Sequence, residues 1–392
     1  MTARRVAVLG SGIAGTAAAI AAARAGAEVT IVRGRPGATS LSGGAIDSGS
    51  WEDGPAAAAL APEARGVLDA LGGFALGECT LATTGGVIRR ADGRDAALLD
   101  LGAGAGAVLV VAVEHPGWHA MTLARHLGAY GERDFVARPA SLFVHARERA
   151  MHHAELAALH DDDARLDHAA ERIRAALAQG GTFSAVLLPP WLGCDAPRAR
   201  ALSERVGVAC GEALVGHDGP SGLRFERARD RCLRAAKVEA RLGLVRRVAA
   251  KTDGCTVTLE AGDAIEADAV VLATGGLVGG GIAYAPGEAV LATAVPPAPH
   301  GPFALTYEAP VTLGVRGRPL GIPGSLFGVP PEELTWPRSQ TPAIEQVGVL
   351  VGSSLRAAPN LYVAGDAIAD RRRGWLDALV SGAAAGHAAA AA

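Results

Sequence analysis

Val6-Ala7-Val8-Leu9 is an apolar run of the kind a fully buried parallel strand shows. Gly10-Ser11-Gly12-Ile13-Ala14-Gly15 follows it at once. The small residues from about Thr16 to Ala25 read as a helix, Gly26 ends it, and Val29-Thr30-Ile31-Val32 is a second strand. Each glycine has a physical task. Gly10 permits the tight turn, Gly12 lets a pyrophosphate approach the backbone, and Gly15 lets helix and strand pack closely. The helix N-terminus adds unpaired N–H groups and a partial positive charge, so the whole turn, Ser11 and Ala14 included, is a candidate cofactor cradle. A bare Gly-x-Gly-x-x-Gly says little. In strand–turn–helix–strand context it points to a dinucleotide or flavin rather than to an unliganded turn.

One residue breaks the pattern. The end of the second strand is where an acidic residue normally accepts bonds from the adenosine ribose. Here stands Arg33, followed by Gly34-Arg35. It reads as part of a solvated basic loop, as a cofactor contact that meets a phosphate, or as the mark of a site whose adenosine half is held differently. The identity of the cofactor stays open at this point.

The rest of the chain is consistent with this reading. Its 392 residues suffice for two lobes with a sizeable core. A formal charge of −3 gives no electrostatic footprint for nucleic acid or an anionic membrane. The five cysteines are dispersed without a Cys-x-x-Cys pair, which argues against an iron–sulfur cluster, a metal site or a dithiol motif within this chain. That usage is expected of an intracellular, reduced protein. No uninterrupted apolar run is long enough to span a membrane.

Further along, the small-residue loop around Ser42-Gly43-Gly44 either lies against a planar ring or is a loop with no ligand. Ala107–Val113 is another buried strand. The following His115 and His119 are noted because ligands gather at the carboxyl ends of such strands, although structural or solvated histidines are commoner. His152, His153, His160 and His168 lie in a polar helical region and lack ligand spacing with a carboxylate. After the short strand Ala185–Leu188, a helix opens at Pro220-Ser221-Gly222-Leu223-Arg224, and Leu244–Lys251 with Cys255–Glu260 forms a hairpin. Ala267–Leu272 is a buried strand ending in Ala273-Thr274-Gly275-Gly276. Pro359–Ala364 is another, ending in Gly365-Asp366, where a carboxylate can accept bonds from ribityl or ribose hydroxyls. The expected fold is α/β: a Rossmann-like FAD/NAD(P)-binding domain with a parallel sheet, plus an inserted α/β lobe. Residues 1–100 and 236–392 supply the two parts of the first, and residues 101–235 the second.

Three anchors in this order, the Gly10–Gly15 turn, the strand ending in Ala273–Gly276 and the strand ending in Gly365-Asp366, resemble the two-dinucleotide-binding-domain flavoproteins, the family that includes fumarate reductase flavoprotein subunits. Adding Leu41–Asp47, Leu187–Gly193, Pro220–Arg224, Val271–Gly281 and Asn360–Gly365, the chain is similar to the B subunit of anaerobic glycerol-3-phosphate dehydrogenase. The resemblance implies a flavin cofactor, FAD or alternatively FMN. It also implies a cytoplasmic subunit paired with a larger FAD-bearing catalytic subunit. An iron–sulfur subunit would dock the pair at the inner membrane and pass electrons to quinone. The reaction implied is oxidation of glycerol 3-phosphate, a small phosphorylated substrate, to dihydroxyacetone phosphate. By the same resemblance Gly10, Gly12 and Gly15 would face the pyrophosphate and Ser42-Gly43-Gly44 the isoalloxazine. Thr274-Gly275 would line the cofactor's far side and Gly365-Asp366 the ribityl chain. Asp370-Arg371-Arg372-Arg373 departs from the glycine-rich stretch expected there.

Oxidising a secondary alcohol needs a hydride acceptor, a base for the hydroxyl proton and, for a phosphorylated substrate, an arginine clamp. Arg224 is the candidate anion contact; its alternative is a solvated arginine near the helix start. No general base is legible. Two further functions compete: a free-standing FAD-dependent oxidoreductase acting on another small substrate, and a non-catalytic electron-relay or scaffold subunit.

Overall fold

The computed structural model describes residues 3–47, 60–131, 133–217, 219–284, 303–319, 343–371 and 373–392. It opens with β1 (Arg5–Leu9), α1 (Ile13–Arg24) and β2 (Glu28–Arg33). The helix starts three residues earlier than its small-residue run suggests, because Gly12 is extended and acts as the N-cap. There follow β3 (Ala45–Ile46), α2 (Pro62–Leu71), β4 (Phe74–Ala82) and β5 (Ile88–Asp95), the strands forming an antiparallel sheet in the order β3-β5-β4.

The inserted lobe is a second α/β unit. It comprises β6 (Ala107–Ala112), α3 (Ala120–Gly128), β7 (Phe135–Pro139), α4 (His153–Leu159) and α5 (Asp163–Leu177). It continues with β8 (Phe183–Leu188), α6 (Ala199–Val206) and β9 (Ala209–Glu212). All four strands are parallel, in the order β7-β6-β8-β9. Covered on both faces, β6 and β8 read as continuous apolar runs, as buried parallel strands do.

The chain then returns through α7 (Ser221–Ala235) and β10 (Glu239–Leu242). A meander of β11 (Val245–Lys251), β12 (Gly254–Leu259) and β13 (Ala264–Ala267) leads to β14 (Ala269–Leu272). Short strands β15 (Ile282–Tyr284) and β16 (Phe303–Leu305) pair with each other. Strand β17 (Leu313–Val315) pairs with β18 (Arg318–Pro319) and β19 (Gly348–Val349). Last come β20 (Arg356–Ala358), β21 (Leu361–Val363) and α8 (Trp375–Ala391).

The principal sheet runs β10-β2-β1-β14-β21-β20, parallel except for β20. Val6 to Leu9 pair in register with Ala269 to Leu272, so sequence positions about 260 residues apart lie side by side. Phe225, Ala228 and Leu233 of α7 belong to the same buried cluster as β1 and α1. Residues 221–235 thus pack with the nucleotide domain, although the sequence reading groups them with the inserted lobe. Helix α8 crosses α1 at close range. A Cβ at Gly382 or Gly386 would run into the carbonyls of Ala14 and Ala18. Among the described residues, no helix is long and apolar enough to cross a membrane, and no group of His, Cys, Asp and Glu could hold a metal ion.

Candidate cofactor site

At the carboxyl edge of the principal sheet the three anchors meet. Gly10 has φ +105°, and a Cβ there would collide with the Ala273 carbonyl at the end of β14; one at Gly15 would collide with the Gly10 carbonyl. These two glycines weld turn, helix and neighbouring strand together. Gly365, at φ +67°, closes the third corner: a Cβ there would lie 2.7 Å from the Ala14 Cβ, and one on Gly276 would lie 2.6 Å from the Asp366 carbonyl oxygen. Beside this junction opens a cavity of about 340 Å³ lined by Gly10, Arg35, Gly243, Thr274, Glu260 and Tyr307, among others. It lies at the size of a small-ligand pocket, about 300 Å³ upward.

Thr274 and Tyr307 form one wall, with the phenol 3.5 Å from the Thr274 hydroxyl; burial pushes the Tyr307 phenol up to about 12. Tyr307 sits in a glycine- and proline-rich stretch that gives no periodic signal, and sequence reasoning passed over it. Burial likewise raises the Asp366 carboxyl above its ordinary value, with Arg373 opposing. The Gly365 N–H donates to Ser381 Oγ at 3.0 Å. The arginine-rich stretch after this turn is structural in the residues described. Arg373 donates to the carbonyls of Glu345 (2.8 Å), Val347 (2.6 Å), Ile368 (3.0 Å) and Asp366. Asp370 accepts the N–H groups of Arg316 and Gly317.

Arg33 does not line the cavity. Its guanidinium pairs with Asp230 of α7 at 3.1 Å, and Arg35, two residues on, reaches the cavity wall instead. The Ser42-Gly43-Gly44 loop is packed against the segment that leads into α7. A Cβ at Gly43 would strike the Val215 carbonyl, and one at Gly44 would lie 2.5 Å from Ser221 Oγ. Ser42 Oγ accepts the Gly44 N–H at 3.2 Å. The loop's later residues, 48–50, lie outside the described segments.

Arg224 is buried in a charged knot rather than open to an anion. It donates from Nε to Asp95 Oδ2 (2.7 Å), from Nη2 to Glu212 Oε2 (2.7 Å) and from Nη1 to the Gly193 carbonyl (2.7 Å). Asp95 also accepts from Ser221 Oγ at 2.7 Å. Burial works against the cation, but Asp95 and Glu212 together hold it firmly protonated; burial raises the Glu212 carboxyl, with Arg224 opposing. The knot joins β5, the end of β9 and α7, tying the inserted lobe to the nucleotide domain. No sequence signal announces it, because its partners lie 129 and 12 residues away. His115 takes a structural place, whereas the His119 side chain is exposed and makes no capping bond. His115 bonds the Met151 carbonyl (2.9 Å) and the Gly117 N–H (3.1 Å), its ring 4.9 Å from that of His153. His119 is the N-cap residue of α3.

No curated protein matches the chain. Among solved structures it is similar to CtdE in complex with FAD, at 12% identity, over 70% of this chain and 39% of that one, with TM-score 0.25. The Diels-Alderase PyrE3 of pyrroindomycin biosynthesis is 14% identical over 97% of this chain and 63% of that one, with TM-score 0.34. Thioredoxin reductase of T. acidophilum is 13% identical over 99% and 98%, with TM-score 0.24. The chain spans 39%, 36% and 63% of the lengths of CtdE, FqzB and PyrE3. Residues 5–59 match the family model described as "FAD binding domain". The β1–α1–β2 unit is therefore an FAD-binding segment, and FAD is the cofactor its turn is built to take.

Proposed function

We propose that the chain is an FAD-dependent oxidoreductase, and that it serves as the flavin subunit of a glycerol-3-phosphate:quinone dehydrogenase. In that role it pairs with a larger FAD-bearing catalytic subunit and with an iron–sulfur subunit that reaches the membrane. The observation that carries the oxidoreductase reading is the convergence of the Gly10, Thr274 and Gly365 turns beside one cavity at the sheet's carboxyl edge. The ordered set of segments running from Leu41–Asp47 to Asn360–Gly365 supports the finer reading. When bound, FAD supplies the two-electron acceptor for hydride. The chain's own residues do the rest. The turn from Gly10 to Gly15 presents backbone amides to the diphosphate, Thr274 and Tyr307 wall the adenosine half, and Gly365-Asp366 closes over the polyol.

The test is the visible spectrum of the purified chain, with the released cofactor identified by chromatography. Oxidised-flavin bands with released FAD support the reading, and bleaching by glycerol 3-phosphate in the assembled complex supports the substrate. A colourless chain that takes up no flavin overturns it. One observation favours a second reading, a relay or scaffold subunit without chemistry of its own: Arg224, the candidate clamp for a phosphorylated substrate, is spent on Asp95 and Glu212.

A further inference from the structure

We propose that Arg229 of α7 is the cation that binds the diphosphate of FAD at the glycine turn, in place of any charge from the end of β2. The inference rests on the reading that this chain binds FAD, and it concerns which of its own residues do so. Three observations lead to it. First, the amide of Ile13, at the start of α1, is already donated to Thr39 Oγ1 at 3.1 Å, so the helix offers an anion fewer first-turn donors than it otherwise would. Second, Arg33, the cation at the end of β2, is tied to Asp230 at 3.1 and 3.4 Å. Third, Arg229 is 2% exposed and lies against the turn itself, with Nη1 3.3 Å from the Ser11 carbonyl oxygen and 3.5 Å from Ser11 Oγ.

The rest of the guanidinium is held so that one edge stays available. Nε donates to Asp230 Oδ1 at 2.8 Å, and the group lies 5.9 Å from the centroid of the Phe225 ring. Glu226, 3.8 Å from Nη1, is itself engaged by Ser40 Oγ at 2.6 Å. Nη2 has no hydrogen-bond partner among the described residues. An arginine is seldom buried unless its planar fork has a defined partner, and that fork matches phosphate oxygens in two-point contact. Asp230 thus holds two arginines with one carboxylate. It fixes Arg33 away from the nucleotide and Arg229 beside it.

The experiment measures calorimetric binding of ADP and adenosine, and flavin-fluorescence binding of FAD, to the full-length apoprotein. Arg229→Gln should weaken ADP and FAD by about 10- to 100-fold, the worth of a charge-assisted contact, and leave adenosine unchanged. Arg33→Gln should leave all three unchanged. Asp230→Asn, which keeps Arg229 but removes the carboxylate that fixes it beside the turn, should weaken ADP several-fold without altering adenosine; it decides the matter should Arg229→Gln not fold. Unchanged ADP affinity in both Arg229→Gln and Asp230→Asn, or an equal loss of ADP and adenosine, would overturn the inference alone. A wild-type chain that binds neither FAD nor ADP would overturn the FAD reading beneath it.

Discussion

Replacing Arg224 by methionine removes the one cation that the described residues place in the buried knot while keeping most of its volume. Arg224 is 3% exposed and Asp95 and Glu212 are each 1% exposed, so neither carboxylate can turn to water once the guanidinium is gone. Leaving buried charge without its partner costs about 3–5 kcal/mol. That is a large share of the roughly 5–15 kcal/mol by which folded domains are stable. The loss should depend on pH with a definite sign. Without Arg224 nothing opposes the burial that raises the Glu212 carboxyl, so the variant is least impaired in mild acid and loses stability as pH rises through that raised value. Urea unfolding followed by tryptophan fluorescence at pH 5 and pH 8 reads both effects, since Trp191 is buried close to Gly193. Adding Asp95→Asn and Glu212→Gln to the variant should recover much of the loss. A deficit under about 1 kcal/mol at pH 8, or one equal at both pH values, would refute the account of a charged, desolvated knot.

Gly15→Ala places a methyl group on the Gly10 carbonyl; it should lower the thermal midpoint and abolish FAD retention, and wild-type FAD affinity would contradict the packing described. Burial lowers His160 to about 4, against an unfolded value of 6.5. It therefore contributes about 3 kcal/mol that is fully present above about pH 6.5 and is lost as pH falls through about 4. The stability–pH curve of His160→Gln should be flatter across that range. Burial also raises the thiols of Cys79 and Cys194 to about 11 and Cys210 to about 12. Native protein should therefore react slowly with Ellman's reagent at those three positions and fully after denaturation, as mass-mapped labelling would show.

What could be seen in the sequence, and what could not, divides on physical lines. Strands β1, β14 and β21 were legible because each is a buried apolar run that ends in a glycine turn, and burial on both faces leaves that mark on composition. Strand β10 was not, since Glu239-Ala240-Arg241-Leu242 is an exposed edge with neither an apolar run nor alternation. Strands β4 and β5 were missed for a related reason: Gly77, Gly93 and interspersed charges mask their pairing. The position of Arg33 could be read but not its direction, because the partner that turns it, Asp230, lies 197 residues further on. Arg224 and Arg229 sit on the same buried face of α7 as Phe225 and Ala228. A helix with two arginines on its inner face looks, from sequence, like a solvated one.

The pairing of β1 with β14 and β21, and of α1 with α8, also fixes an order of events during synthesis. The inserted sheet, from Ala107 to Glu212, contains all four of its strands within one continuous stretch. It can close while the ribosome is still making the second half of the nucleotide domain. The glycine turn has no such option. Its strand waits for β14, its helix for α8, and its third corner for Gly365, so a segment made long before these partners is among the last to complete its contacts. Until then β1, paired only with β2, carries one unpaired edge and α1 an uncovered alanine face, the features that chaperones and misassembly both exploit. The nascent chain is most exposed in the segment that will later hold the cofactor.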